Sequence, residues 1–351
     1  MFHGFDLEDP KFFEDIVGRK EENLLSLDEI YSQFSNEKVL IVGASGTIGS
    51  SIAKRLVSAG LREVFLLDRD ESALHALYLE LYGTSAAHSN QCILSDIRDA
   101  ESLNFVISRL RPTLVIHAAA LKHLSMLEKF PREAYLTNVV GTLNVAQACI
   151  ANNVNQFVNI STDKAARPTS ILGKTKKIAE LMTEELFLST NLKHCSVRFG
   201  NVFASRGSVI ETFIFQIKNN LLVTVTDQSV KRFFMSRNEA ANLVLSAAII
   251  KENGTYIQNM GQQIAIIDIV GALSKGSIDA PRLEYIGLQD GEKVEEELFD
   301  SPSMPTQFAS ISRSLHSPAL GLVAEIGKSL PKNEADALAL IEKLISRYTE
   351  V

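Results

Sequence analysis

The densest group of reactive side chains in this 351-residue sequence is Ser161-Thr162-Asp163-Lys164, at the end of a run, Gln156 to Ile160, that reads as a strand. Two hydroxyls, a carboxyl and an amine stand side by side. Such a set can hold an oxygen, donate one proton and remove another. Downstream, Leu172 and Lys176 are four apart and share one face of a helix start. A lysine so placed can hydrogen-bond the ribose hydroxyls of a nicotinamide. The alternatives are a surface charge pair for Asp163 and Lys164 and an ordinary structural lysine for Lys176.

Three glycines add a candidate phosphate site. Val39 to Val42 is an apolar run of the kind buried in a parallel strand. Gly43, Gly46 and Gly49 follow, before a helical pattern with Ile48, Ile52 and Leu56 on one face. In that setting Gly43 turns the chain out of the strand and Gly46 leaves room for a pyrophosphate. Gly49 lets the helix pack closely, with its N-terminus toward the phosphate charge. Ser45, Thr47 and Ile48 lie in the same turn and are expected to touch the same ligand.

Asp68 closes the next apolar run, Val64 to Leu67. A carboxylate there accepts from an adenosine ribose and repels a 2′-phosphate, which favours NAD over NADP; Arg69 beside it suits the opposite choice. Asp96 and Ile97 suit an adenine edge, with helix capping the other use of Asp96. Ala118, Ala119 and Ala120 are small enough for a flat cofactor to lie against them, or are simply a packed strand end.

The elements that must position these residues alternate. Strands at 39–42, 63–67, 91–94, 113–117, 156–160 and 194–198 are separated by helices at 47–59, 71–82, 100–110, 131–153 and 173–189. This is the pattern of a parallel sheet with helices on both faces, and right-handed crossovers bring the glycine loop and the later strand ends to one carboxyl edge. After Arg198 the regularity weakens. Short strands at 223–225, 256–259 and 283–285 and helices at 238–250, 266–274 and 334–349 suggest a smaller domain over the cleft; 300–333 reads as loop. The organisation expected is an arm over 1–36 and a dinucleotide-binding domain over 37–198 plus about 236–260. A second domain would take 199–235 and 261–351. The arm, with Phe2, Phe5, Phe12, Phe13 and Ile16, would pack on its own chain or serve an oligomer contact.

Net charge is −7 with no long basic block, which argues against nucleic acid as a partner. The three cysteines have no metal-ligand spacing and read as buried free thiols; no metal site is expected. No apolar run reaches the ~18 residues of a spanning helix, and the N-terminus lacks the order of a signal peptide, so a soluble cytoplasmic protein is expected.

With these motifs in place, the chain resembles the extended short-chain dehydrogenase/reductases, and within them the polysaccharide-biosynthesis branch that contains UDP-N-acetylglucosamine 4,6-dehydratases. The resemblance runs over nearly the whole chain. It is carried by Glu14 to Arg19, His117 to His123, Thr137 to Thr142 and Ser161 to Ala165, then by Arg198 to Val202, Ser205 to Val209, Arg232 to Met235 and Gly291 to Lys293. It implies a Rossmann-type doubly wound parallel sheet with a smaller C-terminal nucleotide-sugar-binding domain. It also implies NAD or NADP held through the cycle, a UDP-linked amino sugar as substrate and a homo-oligomer.

The implied reaction is oxidation at C4, loss of water across C5 and C6, and return of the hydride to C6. Thr162 would hold the C4 oxygen, Asp163 would protonate the leaving hydroxyl, and Lys164, its pKa lowered by burial, would remove the C5 proton. Lys122, Asn138 and Lys176 would face the cofactor. Lys122, His123, Asn201, Arg206, Val209, Arg232 and Glu292 would face the substrate, with the arginines near the UDP pyrophosphate.

Three departures stand out. Most short-chain dehydrogenases carry Tyr where this chain has Leu172, although some relatives of the branch carry Met. Gln289-Asp290 replaces the usual Arg-Pro before Gly291-Glu292-Lys293. Relatives of the branch often have a large membrane-bound N-terminal region, and this chain is expected to work without one, free in the cytoplasm. The leading expectation is a 4,6-dehydratase. A UDP-sugar epimerase or 4-ketoreductase on the same fold comes second, and a catalytically silent nucleotide-sugar-binding protein third.

Overall fold

The computed structural model describes residues 9–86, 89–275, 281–328 and 330–349. Six strands set the frame: β1 (Val39–Val42), β2 (Val64–Asp68), β3 (Cys92–Leu94), β4 (Leu114–His117), β5 (Gln156–Thr162) and β6 (Lys193–Phe199). They pair in parallel in the order β3-β2-β1-β4-β5-β6, and Gly254–Gln258 continues the parallel run beside β6. Ile311–Ser314 and Ser303–Pro305 then close that edge as antiparallel strands. These two strands and the short helix Leu322–Ile326 lie in the stretch the sequence left as loop. Their alternation is too short and too polar to stand out from Pro-rich punctuation.

The apolar runs are buried because helices cover both faces. Thr47–Ser58 and Arg237–Ile250 pack on one side, through Ile52, Leu56, Leu243 and Val244. Ala100–Leu110 and Thr142–Ala151 pack on the other. Local chemistry sets the helix ends. Asp70 and Asp99 cap Glu71–Tyr82 and Ala100–Leu110 by accepting from Ala73 N and Ser102 N, and Ser236 with Glu239 forms a capping box on Arg237–Ile250. The helix read over 131–153 is broken. Leu124–Lys129 and Pro131–Ala134 precede a wide π-helix, Tyr135–Gly141, and only then does Thr142–Ala151 begin. Helix periodicity alone does not reveal a π turn.

A separate apolar cluster joins the arm to the later chain. Phe13 and Val17 meet Phe203, Phe213, Ile214, Val230 and Ile269, and the Phe12 and Phe13 rings stand edge-on to Phe203. Arg19 fastens the arm through Glu239. The arm therefore packs on its own chain; Phe2 and Phe5 lie outside the described residues. Val209–Lys218 is a helix that the sequence reading missed. Its apolar residues serve this second cluster and not the sheet. Cys149 and Cys195 are buried free thiols as expected, while Cys92 is only half-buried. Among the described residues no helix is long and apolar enough to cross a membrane.

Beneath the carboxyl end of β5 and β6 lies a buried ionic network. Arg198, fully buried, donates to both oxygens of Glu180 at 2.8 and 2.7 Å and to Asp300 at 2.8 Å. Lys177 donates to Asp300 at 2.6 Å, and Ser161 to Glu180 at 2.6 Å. The network ties β5, β6 and helix Ile171–Phe187 to the segment around Asp300. Removing one member strands the others without water. Replacing Arg198 by Met is expected to destabilise the fold by roughly 3–5 kcal/mol. Denaturant titration would read this as a lower midpoint at unchanged slope.

Candidate functional site

The strand register creates the site. β4 ends at His117, opposite Asn159, while β5 runs on through Ile160, Ser161 and Thr162 paired only with β6. Thr162 thus overhangs the β4 end. β1 and β5 flank β4, so their carboxyl ends stand roughly 10 Å apart, within the reach of one extended ligand.

On the β1 side is a cleft of about 250 Å³. Gly43, Ser45, Gly46, Asp68, Arg69, Asp96, Ile97 and the three alanines Ala118, Ala119 and Ala120 line it, together with Thr137 and Arg206. Gly43 has φ +81°, and a Cβ there would collide with the Ala119 main chain. A Cβ on Gly49 would strike Gly43 O, so that glycine is needed for the helix to dock. At Gly46 a Cβ would meet only Gly43 O, at 3.3 Å. Apart from that one tight contact, the space a side chain would take is open among the described residues. Gly46 is also the N-cap of Thr47–Ser58 and supplies no side-chain cap, leaving helix N–H groups toward the loop. The hydroxyl of Thr137 is buried, has no hydrogen-bond partner among the described residues and lines the same cleft. Small walls, open helix donors and a waiting hydroxyl fit a dinucleotide.

The acidic residues are engaged. Asp68 accepts from Ser45 N at 2.9 Å and from Asp70 N at 3.1 Å, so it braces the glycine loop. Asp96 holds Arg98 through both oxygens, and that hydrogen bond keeps its carboxyl below the usual range. The helix cap considered for Asp96 belongs to Asp99. Arg69 reaches Asp96 only at 3.9 Å and stays half-exposed. Ile97 is buried against Gly141. Thr47 and Ile48 begin the helix, and Thr47 Oγ1 accepts from Arg206 N at 3.1 Å.

Several expected contacts fall elsewhere. Arg206 lines the glycine-loop cleft instead of standing with Arg232. Lys122 is near Arg206 and Arg237; burial, joined by these two arginine charges and opposed by Glu211, leaves its amine below the usual range. His123 packs its ring where a Gly207 side chain would be, and Val209 opens its helix half-exposed. Asn138 is fully buried and clamps the Leu121 main chain, accepting from its N at 2.8 Å and donating to its O at 3.0 Å. It shapes the loop after Ala120 instead of facing the cleft. Lys176 is buried beside His117. Burial lowers its amine to about 8 against the pull of Glu180, and burial with Lys176 takes His117 down to about 3.

At the β5 end a single 3₁₀ turn, Asp163–Ala165, turns three side chains together. Thr162 Oγ1 donates to Asp163 Oδ1 at 2.9 Å, and Lys164 Nζ donates to the same oxygen at 3.1 Å. Asp163 is fully buried and its Oδ2 has no hydrogen-bond partner among the described residues. The pair is therefore not a solvated surface feature. Lys164 Nζ also donates to Asn201 Oδ1 at 3.2 Å and lies 3.5 Å from Glu296 Oε1. Burial opposes a charge here, but Asp163 and then Glu296 outweigh it, and the amine is held above the ordinary lysine range. Burial alone would have lowered it, as the sequence reading supposed; the two carboxylates reverse the sign.

Arg232 is buried and engaged as well. It donates to Glu292 at 2.8 Å, and Glu292 also accepts from Thr226. Glu296 was not singled out in the sequence. In the run Glu295-Glu296-Glu297 nothing marks one glutamate as inward-facing. Leu172 is buried in an apolar cluster with Leu127 and Tyr135.

Comparison with known proteins follows the same lines. Residues 39–313 match the family model described as "Polysaccharide biosynthesis protein". The probable polysaccharide biosynthesis protein EpsC of Bacillus subtilis is 36% identical over 82% of this chain and 49% of its own length. The chain thus spans about half the length of this relative. UDP-glucose 4-epimerase of Rickettsia canadensis is 31% identical over 77% of this chain and 80% of its own. The solved structure of Pen from Bacillus thuringiensis superposes with a TM-score of 0.69 at 37% identity, covering 76% of this chain and 81% of that one.

Because a Cβ at Gly46 would press on Gly43 O alone among the described residues, at 3.3 Å, Gly46→Ala is expected to lower the melting temperature by only a few degrees, ~2–4 °C. Dinucleotide affinity should fall at least tenfold, about 1.4 kcal/mol. Calorimetric titration alongside thermal melting would check both halves.

Proposed function

The chain belongs to the polysaccharide biosynthesis protein family, and from that premise we propose that it is an NAD(P)-dependent 4,6-dehydratase of a UDP-linked amino sugar, of the UDP-N-acetylglucosamine type. The observation that supports this most is the hydrogen bond from Thr162 to Asp163 beside Lys164. It offers a proton path that needs no tyrosine at Leu172.

The proton of the C4 hydroxyl passes to Thr162 Oγ1 as Thr162 passes its own to Asp163 Oδ1. Asp163, now protonated, gives that proton to the C6 hydroxyl, which leaves as water. Lys164 in its neutral form takes the C5 proton and returns it to C5 after the water has gone. Thr162, Asp163 and Lys164 end as they began, and the substrate has lost one water. The dinucleotide, held by the glycine loop, Thr137 and Lys176, supplies hydride acceptance and then donation. Asp68 at the β2 end supports NAD over NADP. Arg232, by exchanging Glu292 for a phosphate oxygen, would hold the pyrophosphate.

A UDP-sugar epimerase is the second reading, favoured by the identity to the Rickettsia enzyme and by Leu172. Purified protein with NAD and UDP-N-acetylglucosamine is expected to yield a product lighter by one water, with no net NADH, by mass spectrometry and absorbance. Thr162→Val should slow it by about 10²–10⁴-fold, the usual worth of a positioned proton-transfer group. A product of unchanged mass would replace the dehydratase with the epimerase.

A further inference from the structure

Glu296 lies in a run of three glutamates, yet its two neighbours behave differently. Glu295 and Glu297 are half-exposed and pair with Lys231 and Arg167 at the surface. Glu296 turns inward, with its side chain 3% exposed. Its main chain is held at both groups by Gln263, whose Oε1 accepts from Glu296 N and whose Nε2 donates to Glu296 O, both at 3.1 Å. One carboxylate oxygen lies 3.5 Å from Lys164 Nζ and 3.9 Å from Arg232 Nε; the other is buried with no hydrogen-bond partner among the described residues. A carboxylate in such a place is costly unless a cation answers it. Its burial is therefore tied to the charge on Lys164.

We propose that Glu296 is a positioning residue for Lys164, a second carboxylate that fixes the direction of the amine and governs when it releases its proton. Two hydrogen-bond acceptors and one further ion-pair partner surround the amine: Asp163 from its own turn and Asn201 after β6 accept from it, and Glu296 from the segment after Gly291 pairs with it. The charged groups facing it are Asp163, Glu296 and, across Glu296, Arg232. With both carboxylates ionised the amine rests as an ammonium and is no base. Chemistry then requires the cage to loosen, and of its two carboxylates Glu296 is the one that belongs to another part of the chain. This rests on the reading of Lys164 as the group that handles the C5 proton.

The test uses the full chain and cyanate, a small reagent that carbamylates only neutral amines. Mass spectrometry of the Lys164 peptide across a pH series gives the titration without any turnover. The wild-type midpoint should lie above that of exposed lysines. In Glu296→Gln it should fall by about one unit, a tenfold faster labelling at fixed pH. The limb of the turnover profile that reports Lys164 should move down in step. Gln263→Ala, which frees the Glu296 main chain, should shift labelling the same way by less, and stands in should Glu296→Gln fail to fold. An unchanged labelling midpoint in the folded variant overturns the proposal. So does a loss of turnover at every pH with labelling unmoved. Absence of dehydratase activity in the wild type would defeat the functional reading alone, since the labelling still decides the role of Glu296.

Discussion

A lysine amine placed in a nearly dry pocket must be answered by negative charge, and the answer given to Lys164 organises the site. Asp163 supplies part of it locally, at 3.1 Å. The rest of the charge comes from Glu296, 132 positions away in the chain, and the neutral amide oxygen of Asn201, 37 positions away, accepts a further hydrogen bond. Satisfying one cation therefore holds the β5 end, the turn after β6 and the segment after Gly291 in contact. That segment is fastened further where Lys293 donates to Ala166 O and Thr169 donates to Gly291 O. The floor of the sheet and the later chain meet at the reactive groups because these charges cannot be left alone.

A second layer lies beneath. Arg198 occupies Glu180 with two short hydrogen bonds, and the pull of Glu180 on Lys176, one helical turn earlier, is too weak to offset the burial of that amine. Lys176 is left under-compensated, with its amine lowered to about 8. The two lysines of the site are thus tuned in opposite directions by the same means, carboxylates given or withheld. Divergent tuning of neighbouring titratable groups is a mark of acid–base sites.

Much of this was legible in the sequence. Glu71–Tyr82, Ala100–Leu110 and Glu334–Thr349 match their expected bounds, because the side-chain caps Asp70, Asp99 and Asn333 mark where they start. The glycine loop and the β5 end were legible because each needs particular residue types at fixed spacing. What failed were features decided by tertiary partners. Asn138 has the polarity of a ligand contact but spends it on Leu121. Val209–Lys218 was hidden because its apolar face belongs to a second cluster. The sign of the Lys164 shift depends on Glu296, which no local pattern connects to it. The resemblance identified the family, and the residue-level chemistry then rested on the geometry.

The central claim is that a base beside Thr162 and Asp163 takes a proton from sugar carbon and gives it back. Turnover of UDP-N-acetylglucosamine in deuterium oxide, with the product read by proton NMR, tests this most directly. The account predicts solvent deuterium at C5, because the proton held by Lys164 exchanges before it returns, with the transferred C6 hydrogen still drawn from the substrate. A product carrying no solvent deuterium on any carbon would contradict it.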